Sequence, residues 1–167
     1  MALATLTAEP LTLEAFAPFG HVIEACGDAA GRMNGAAFDR FDGLAPVVSA
    51  DAPDAAAQVG IVRAREAASL PHAIPLIERH PLGTQAFIPL GNFRYYVVVA
   101  PAGDGVRPGD LRAFRCEGGQ GISYLPGTWH MPLMALEVGQ TFLVIDQGQR
   151  TGNLDELTLS EPVSLVS

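Results

Sequence analysis

Apolar residues in this chain fall in short runs separated by glycine and proline, with no long stripe at helical spacing. Runs of four to eight residues occupy His21–Glu24, Ala45–Ser49, Gln58–Arg65, Ala73–Glu78, Thr84–Pro89, Arg94–Ala100, Ile122–Leu125, Pro132–Val138 and Thr141–Ile145. They are rich in β-branched and aromatic residues, which pack well on a pleated surface, so each is predicted to be a strand. Val97–Val99 is apolar without alternation, the pattern of a strand covered on both faces. One helix is expected, over Thr12–Phe19, capped by Thr12, favoured by Glu14 in its first turn and stopped by Gly20. Leu111–Phe114 reads as a helical turn capped by Asp110. Asp51–Ala57 and Pro101–Asp110 read as loops, and Asn153–Ser167 as a short strand or docked tail. Eight or nine short strands with little helix predict a mainly β fold, a sandwich or barrel of the jelly-roll kind. No internal repeat or linker divides the chain, so residues 1–167 are read as a single domain.

Composition narrows the function. With 167 residues, 49% hydrophobic and 17% charged, the chain can bury a core and is no candidate for extensive disorder. A net charge of −8 leaves no electrostatic footprint for nucleic acid or an anionic membrane. All ten basic residues are arginine. The absence of lysine excludes a P-loop lysine and any lysine-imine chemistry, pyridoxal phosphate included. A cationic contact must then be a guanidinium, which suits two-pronged carboxylate binding; Arg63 (with Arg65 on the same strand face) and Arg112 are the candidates. The opening MALATLTAEP lacks the basic and apolar regions of a signal, and the longest apolar stretch, 95–102, is too short for a membrane helix. Cys26 and Cys116 lack metal or redox spacing and are expected as free thiols, which points to the cytoplasm.

Two of the four histidines have suggestive surroundings. Glu78 and His80 are two residues apart, so on a strand both face the same way, and Gln85 opens the next run where it can return to that face. His130 follows a tight turn and is flanked by Tyr124 and Trp129, which can line a pocket. His21 and His72 read as structural. Ser123 lies outside any G-x-S-x-G pattern, which removes the usual argument for a serine nucleophile.

The order Glu78, His80, Gln85, Gly91 and then Gly121, Pro126, Gly127, His130 resembles in spacing the two motifs of the cupin barrels. The strings LIERHPLGTQAFIPL and GQGISYLPGTWHMPL, with LTLEAFAPFGHVIE, LRAF and TFLVIDQG, resemble the ureidoglycolate lyase family from about residue 10 to 150. That resemblance implies a cupin jelly-roll barrel, a homodimer, and cleavage of (S)-ureidoglycolate to glyoxylate and urea in allantoin breakdown. It implies no organic cofactor, and stimulation by Ni²⁺ or another divalent metal without strict dependence. Glu78, His80 and His130 would be catalytic; with Gln85 they would also be the ligands of any metal. Arg63, Gln85, Arg112, Tyr124 and Trp129 would contact the substrate. The Glu78 carboxyl, partly desolvated, is expected to have a raised pKa. The chain departs from the family pattern at Asp42, Leu125 and Met131, where relatives carry histidine. Those losses motivate two other readings, a non-catalytic cupin that binds a small carboxylate or ureido compound and a metal-dependent cupin acting on another small acid.

Overall fold

The computed structural model describes residues 3–49, 56–148 and 151–167. Its strands are β1 (Ala4–Pro10), β2 (Gly20–Ile23), β3 (Gly31–Met33), β4 (Phe38–Arg40), β5 (Gln58–Arg63), β6 (His72–Arg79), β7 (Gln85–Pro89), β8 (Tyr95–Ala100), β9 (Arg112–Cys116), β10 (Gly121–Tyr124), β11 (Trp129–His130), β12 (Thr141–Asp146) and β13 (Asp155–Val166). Six of them close a barrel in the order β1-β13-β6-β11-β8-β9. A five-stranded sheet, β2-β10-β7-β12-β5, forms the second layer, and β3 and β4 make a separate hairpin. The architecture is mainly β, as the short apolar runs predict.

Strand β8 explains how the layers share a core. All six of its residues are buried. Tyr96, Val98 and Ala100 join one apolar cluster to which every barrel strand contributes, including Ile77, Ala113, Trp129 and Leu165. Tyr95, Val97 and Val99 face the other way, into a cluster with Phe16, Phe87, Phe114, Tyr124 and Phe142 that packs the barrel wall against the second sheet. Side chains alternate between the faces of a strand, so an unbroken apolar run serves a wall with a core on each side.

Among the described residues the single α-helix, α1 (Leu13–Phe16), starts where Thr12 predicts it but stops short of Phe19: Thr12 is extended, and its Oγ1 accepts a hydrogen bond from the Ala15 N–H at 3.1 Å. Phe16 is fully buried edge-on to Phe114, with centroids 5.4 Å apart. Among the described residues, no helix is long and apolar enough to cross a membrane. Cys26 and Cys116 are both free thiols, the first exposed and the second buried.

Other expectations need correction. Ala45–Ser49 is not a strand; only Ser49 forms a bridge, to Gly83. Pro132–Val138 likewise holds a single bridge, Met134 to Tyr96, because the segment must turn before Gly139. Leu111–Phe114 is extended, Leu111 leading into β9, and the helical turn lies earlier, at Pro108–Asp110. The C-terminal segment is a twelve-residue strand, β13, and the opening residues form β1, which sequence patterning missed. Of the loop expected at Asp51–Ala57, residues 51–55 lie outside the described residues.

Candidate active site

The register of β6 and β11 builds the centre of the site. His130 lies directly opposite Glu78, and His130 is also paired with Val99 on its other side. Paired residues of antiparallel strands project to one face, so Glu78 and His130 share the face of Val99, toward the second sheet. His80 follows β6 just past its last residue, and its ring comes to 5.4 Å from that of His130, centroid to centroid. Ligand atoms of Glu78, His80 and His130 all lie within 4.8 Å of one another. The i, i+2 spacing and the turn before His130 therefore bring together the three residues the sequence singles out.

Backbone carbonyls fix both imidazoles. His80 Nδ1 is 2.7 Å from the Asn153 carbonyl oxygen, and His130 Nδ1 is 3.0 Å from that of Thr128. A carbonyl only accepts, so each Nδ1 carries a proton, and in the neutral ring it is Nε2 that holds the lone pair. Both Nε2 atoms are buried without a hydrogen-bond partner. His130 Nε2 stands 3.5 Å from Glu78 Oε1, longer than a good hydrogen bond. His130 itself is almost fully buried, sandwiched on Tyr124 with ring centroids 4.2 Å apart and planes tilted by 13°. Burial pushes the Tyr124 phenol well above its ordinary pKa, so this face stays neutral.

The Glu78 carboxyl behaves differently from the expectation of a raised pKa. The polar contact with His130 lowers it, desolvation opposes this, and positive charge on His130 and His80 lowers it further. The expectation weighed burial alone; the imidazoles outweigh it. Arg79 does not pair with Glu78. It projects to the opposite face, bridging to Asp155 at 2.8 Å and lying 4.6 Å over the Trp129 ring.

Gln85 also reaches the site face. It is the cross-strand partner of Tyr124, and Phe87, two residues along β7, packs edge-on to the same tyrosine. Of the remaining substrate-contact candidates, Trp129 and Arg63 lie away from this group, whereas Arg112 shares its face. Trp129 is next to His130 on a strand and so faces the other cluster, its indole N–H donating to the Gly103 carbonyl. Arg112 pairs with Val99 two strands from His130, and its guanidinium holds Glu9 at 2.6 Å and the Ala15 carbonyl while lying over Phe114. Arg63 is paired with Thr141, at the end of β12 remote from Asp146, the residue adjoining Gln85. That separation is about 16 Å along the strand. Sequence reasoning missed Asn153 and Thr128, whose carbonyls set the imidazoles. Backbone acceptors leave no residue-type signal.

A β-barrel wall carrying two backbone-anchored imidazoles with open Nε2 atoms beside an ionised carboxylate is the equipment of an enzyme that moves protons or holds a divalent cation. The model of the family described as ureidoglycolate lyase matches residues 3–166. The ureidoglycolate lyase of Stutzerimonas stutzeri (strain A1501) is 47% identical over 162 residues, 97% of this chain and 94% of that protein. That of Pseudomonas fluorescens (strain Pf0-1) is 45% identical, and that of Pseudomonas putida (strain W619) 44%, each over 97% of this chain and 96% of the relative. The chain belongs to the ureidoglycolate lyase family.

Proposed function

We propose that this protein cleaves (S)-ureidoglycolate to glyoxylate and urea, in the breakdown of allantoin. The observation that carries the reading is the pair of unpartnered Nε2 atoms of His80 and His130 beside Glu78, in a chain of this family. The substrate carbon bears a hydroxyl, a carboxylate and a urea nitrogen. Cleavage removes the hydroxyl proton, forms the carbonyl as the carbon–nitrogen bond breaks, and returns a proton to the departing nitrogen. His80 Nε2, with its lone pair open, accepts the hydroxyl proton. That proton passes to His130 Nε2, which stands 3.5 Å from Glu78 Oε1, and is delivered from there to the departing nitrogen. Proton transfer of this kind contributes about 10²–10⁴-fold, and holding the substrate in place supplies a further share.

The same three atoms fit a divalent cation: both imidazoles are tethered through Nδ1, and Nε2 and a carboxylate oxygen converge. Glu78, His80 and His130 would hold it. A bound cation would acidify the substrate hydroxyl. A cation would displace proton acceptance at Nε2 and replace it by acidifying the hydroxyl, so metal is read as stimulating without being required, and no organic cofactor takes part. We also read residues 1–167 as one cupin-type domain that works as a homodimer in the cytoplasm.

The test is release of urea and glyoxylate from fresh ureidoglycolate by metal-stripped protein, by protein with Ni²⁺, and by the Glu78→Gln and His130→Ala variants. Turnover above the spontaneous rate that persists after chelation and falls at least about 10²-fold in each variant is expected. Turnover indifferent to both substitutions would move the chemistry elsewhere. A rate equal to background throughout would end the lyase reading.

A further inference from the structure

On the ureidoglycolate reading, the urea end of the substrate needs a hydrogen-bond acceptor, and one buried amide supplies it. Gln85 is 8% exposed, and its two amide atoms have different fates. Nε2 donates to Asp146 Oδ2 at 3.0 Å, whereas Oε1 is buried with no hydrogen-bond partner. Asp146 is itself fixed from behind, because its Oδ1 accepts the Gly148 N–H at 2.7 Å. A carboxylate offers only acceptors, so the amide facing it must present N–H, and the oxygen is forced to the other side. Leaving a buried carbonyl oxygen unpaired is unfavourable, and a ligand N–H would relieve it.

The register says where that oxygen sits. Gln85 is the partner of Tyr124 on β10, so their side chains share a face with Cβ atoms about 5 Å apart. The Tyr124 ring stacks on His130. Gln85 is therefore one side chain removed from the proton-transfer pair. Of the groups on ureidoglycolate, the ureido nitrogens are the multiple N–H donors; the carboxylate carries none.

We propose that Asp146 is a positioning residue: it locks the Gln85 amide with Oε1 turned into the site, where that oxygen accepts a hydrogen bond from a ureido N–H. Specificity for the urea moiety then resides in the Gln85–Asp146 pair, and glyoxylate binds without it.

Asp146→Asn tests this. Its side-chain oxygen still accepts from Gly148, but its NH₂ now faces Gln85. The Gln85 amide turns over and presents N–H where an acceptor is needed. The KM for ureidoglycolate and the inhibition constant for urea are expected to rise about tenfold, the equivalent of one hydrogen bond. The inhibition constant for glyoxylate is expected to stay unchanged. The double variant Asp146→Asn/Gln85→Glu conserves total charge and restores an acceptor, since one Glu oxygen takes the Asn N–H and the other faces the site; urea inhibition returns. Should Asp146→Asn not fold, Gln85→Met removes the oxygen while Gly148 still holds Asp146, and gives the same urea-selective loss. Turnover with unaltered urea inhibition in these variants would overturn the inference alone. So would lost Ni²⁺ affinity with urea inhibition intact, which gives the oxygen to a cation. Absence of wild-type turnover would overturn the ureidoglycolate reading and this inference with it.

Discussion

Glu78 owes its low pKa to the imidazoles it faces, and this has a consequence for stability that does not depend on substrate. A carboxyl whose folded pKa lies below its unfolded value of 4.5 contributes stability that is fully present above that value and is lost as pH falls through the folded one. Wild-type protein is therefore expected to lose more stability than Glu78→Gln between about pH 6 and about pH 3.5, measured as urea midpoints. Equal losses would show that His130 does not hold the carboxylate in its charged form. A second single-residue prediction concerns the thiols. Cys116 is fully buried, and desolvation pushes its pKa up to about 12 against a small opposing contact from Tyr95. Since the thiolate is the reactive species, Ellman's reagent should titrate only Cys26 in the native protein and both cysteines in denaturant. Rapid reaction of two native thiols would mean that the cluster around Phe114 and Tyr95 opens readily.

At the scale of elements, what could be read in advance follows the range of the contacts involved. β8 was legible because its own six residues declare a two-sided burial. α1 was legible because Thr12 caps it within three residues. β1 was not, and β13 only as a short strand or tail, because their partners are remote: Ala4 pairs with Val163 and Ala8 with Ala113. β13 also carries Pro162, which argues against a continuous strand, and its pairing with β6 is interrupted between Thr158 and Val163, where that proline lies. The site divides in the same way. Glu78, His80 and His130 announce themselves by residue type and spacing. The arginines do not, since only the register shows Arg63 at the end of β12 away from Gln85 and Arg112 already occupied by Glu9. One glycine links element packing to the site. A Cβ on Gly20 would collide with the Ser123 carbonyl oxygen, so β2 lies against β10 only because position 20 has no side chain. Gly20→Ala is expected to lose about 1–3 kcal/mol in chemical denaturation, the usual result of overpacking. Turnover should fall as well, since Tyr124, next to Ser123, is the face on which His130 stacks. An unchanged melt would show that β2 shifts aside freely.

The whole molecule is closed by its ends. β1 lies between β13 and β9 and runs parallel to both, so the barrel is completed only when the first and last strands meet. β13 spans β6 from Asp155, opposite Arg79 next to Glu78, to Leu165, opposite His72. The two ends of that strand pair have different duties. Near Glu78, the chain leading into β13 supplies the Asn153 carbonyl that holds His80, and the Asn153 side chain accepts the Leu82 N–H at 2.8 Å. At the far end, Leu165 is fully buried among the barrel core. About 20 Å of strand separates them. Leu165→Ala should therefore cost about 2–5 kcal/mol of stability by leaving a cavity, and lower the melting temperature by several degrees. Its kcat/KM, measured well below the transition, should stay within about twofold of wild type. Asn153→Ala should show the reverse balance: a loss of about 1–3 kcal/mol from the unpaired Leu82 N–H, but a fall in kcat well beyond what the unfolded fraction explains, because the loop that sets the His80 tautomer is released. If both variants lost activity only in proportion to stability, barrel closure and the site would be one cooperative unit, and the separation drawn along β13 would be wrong.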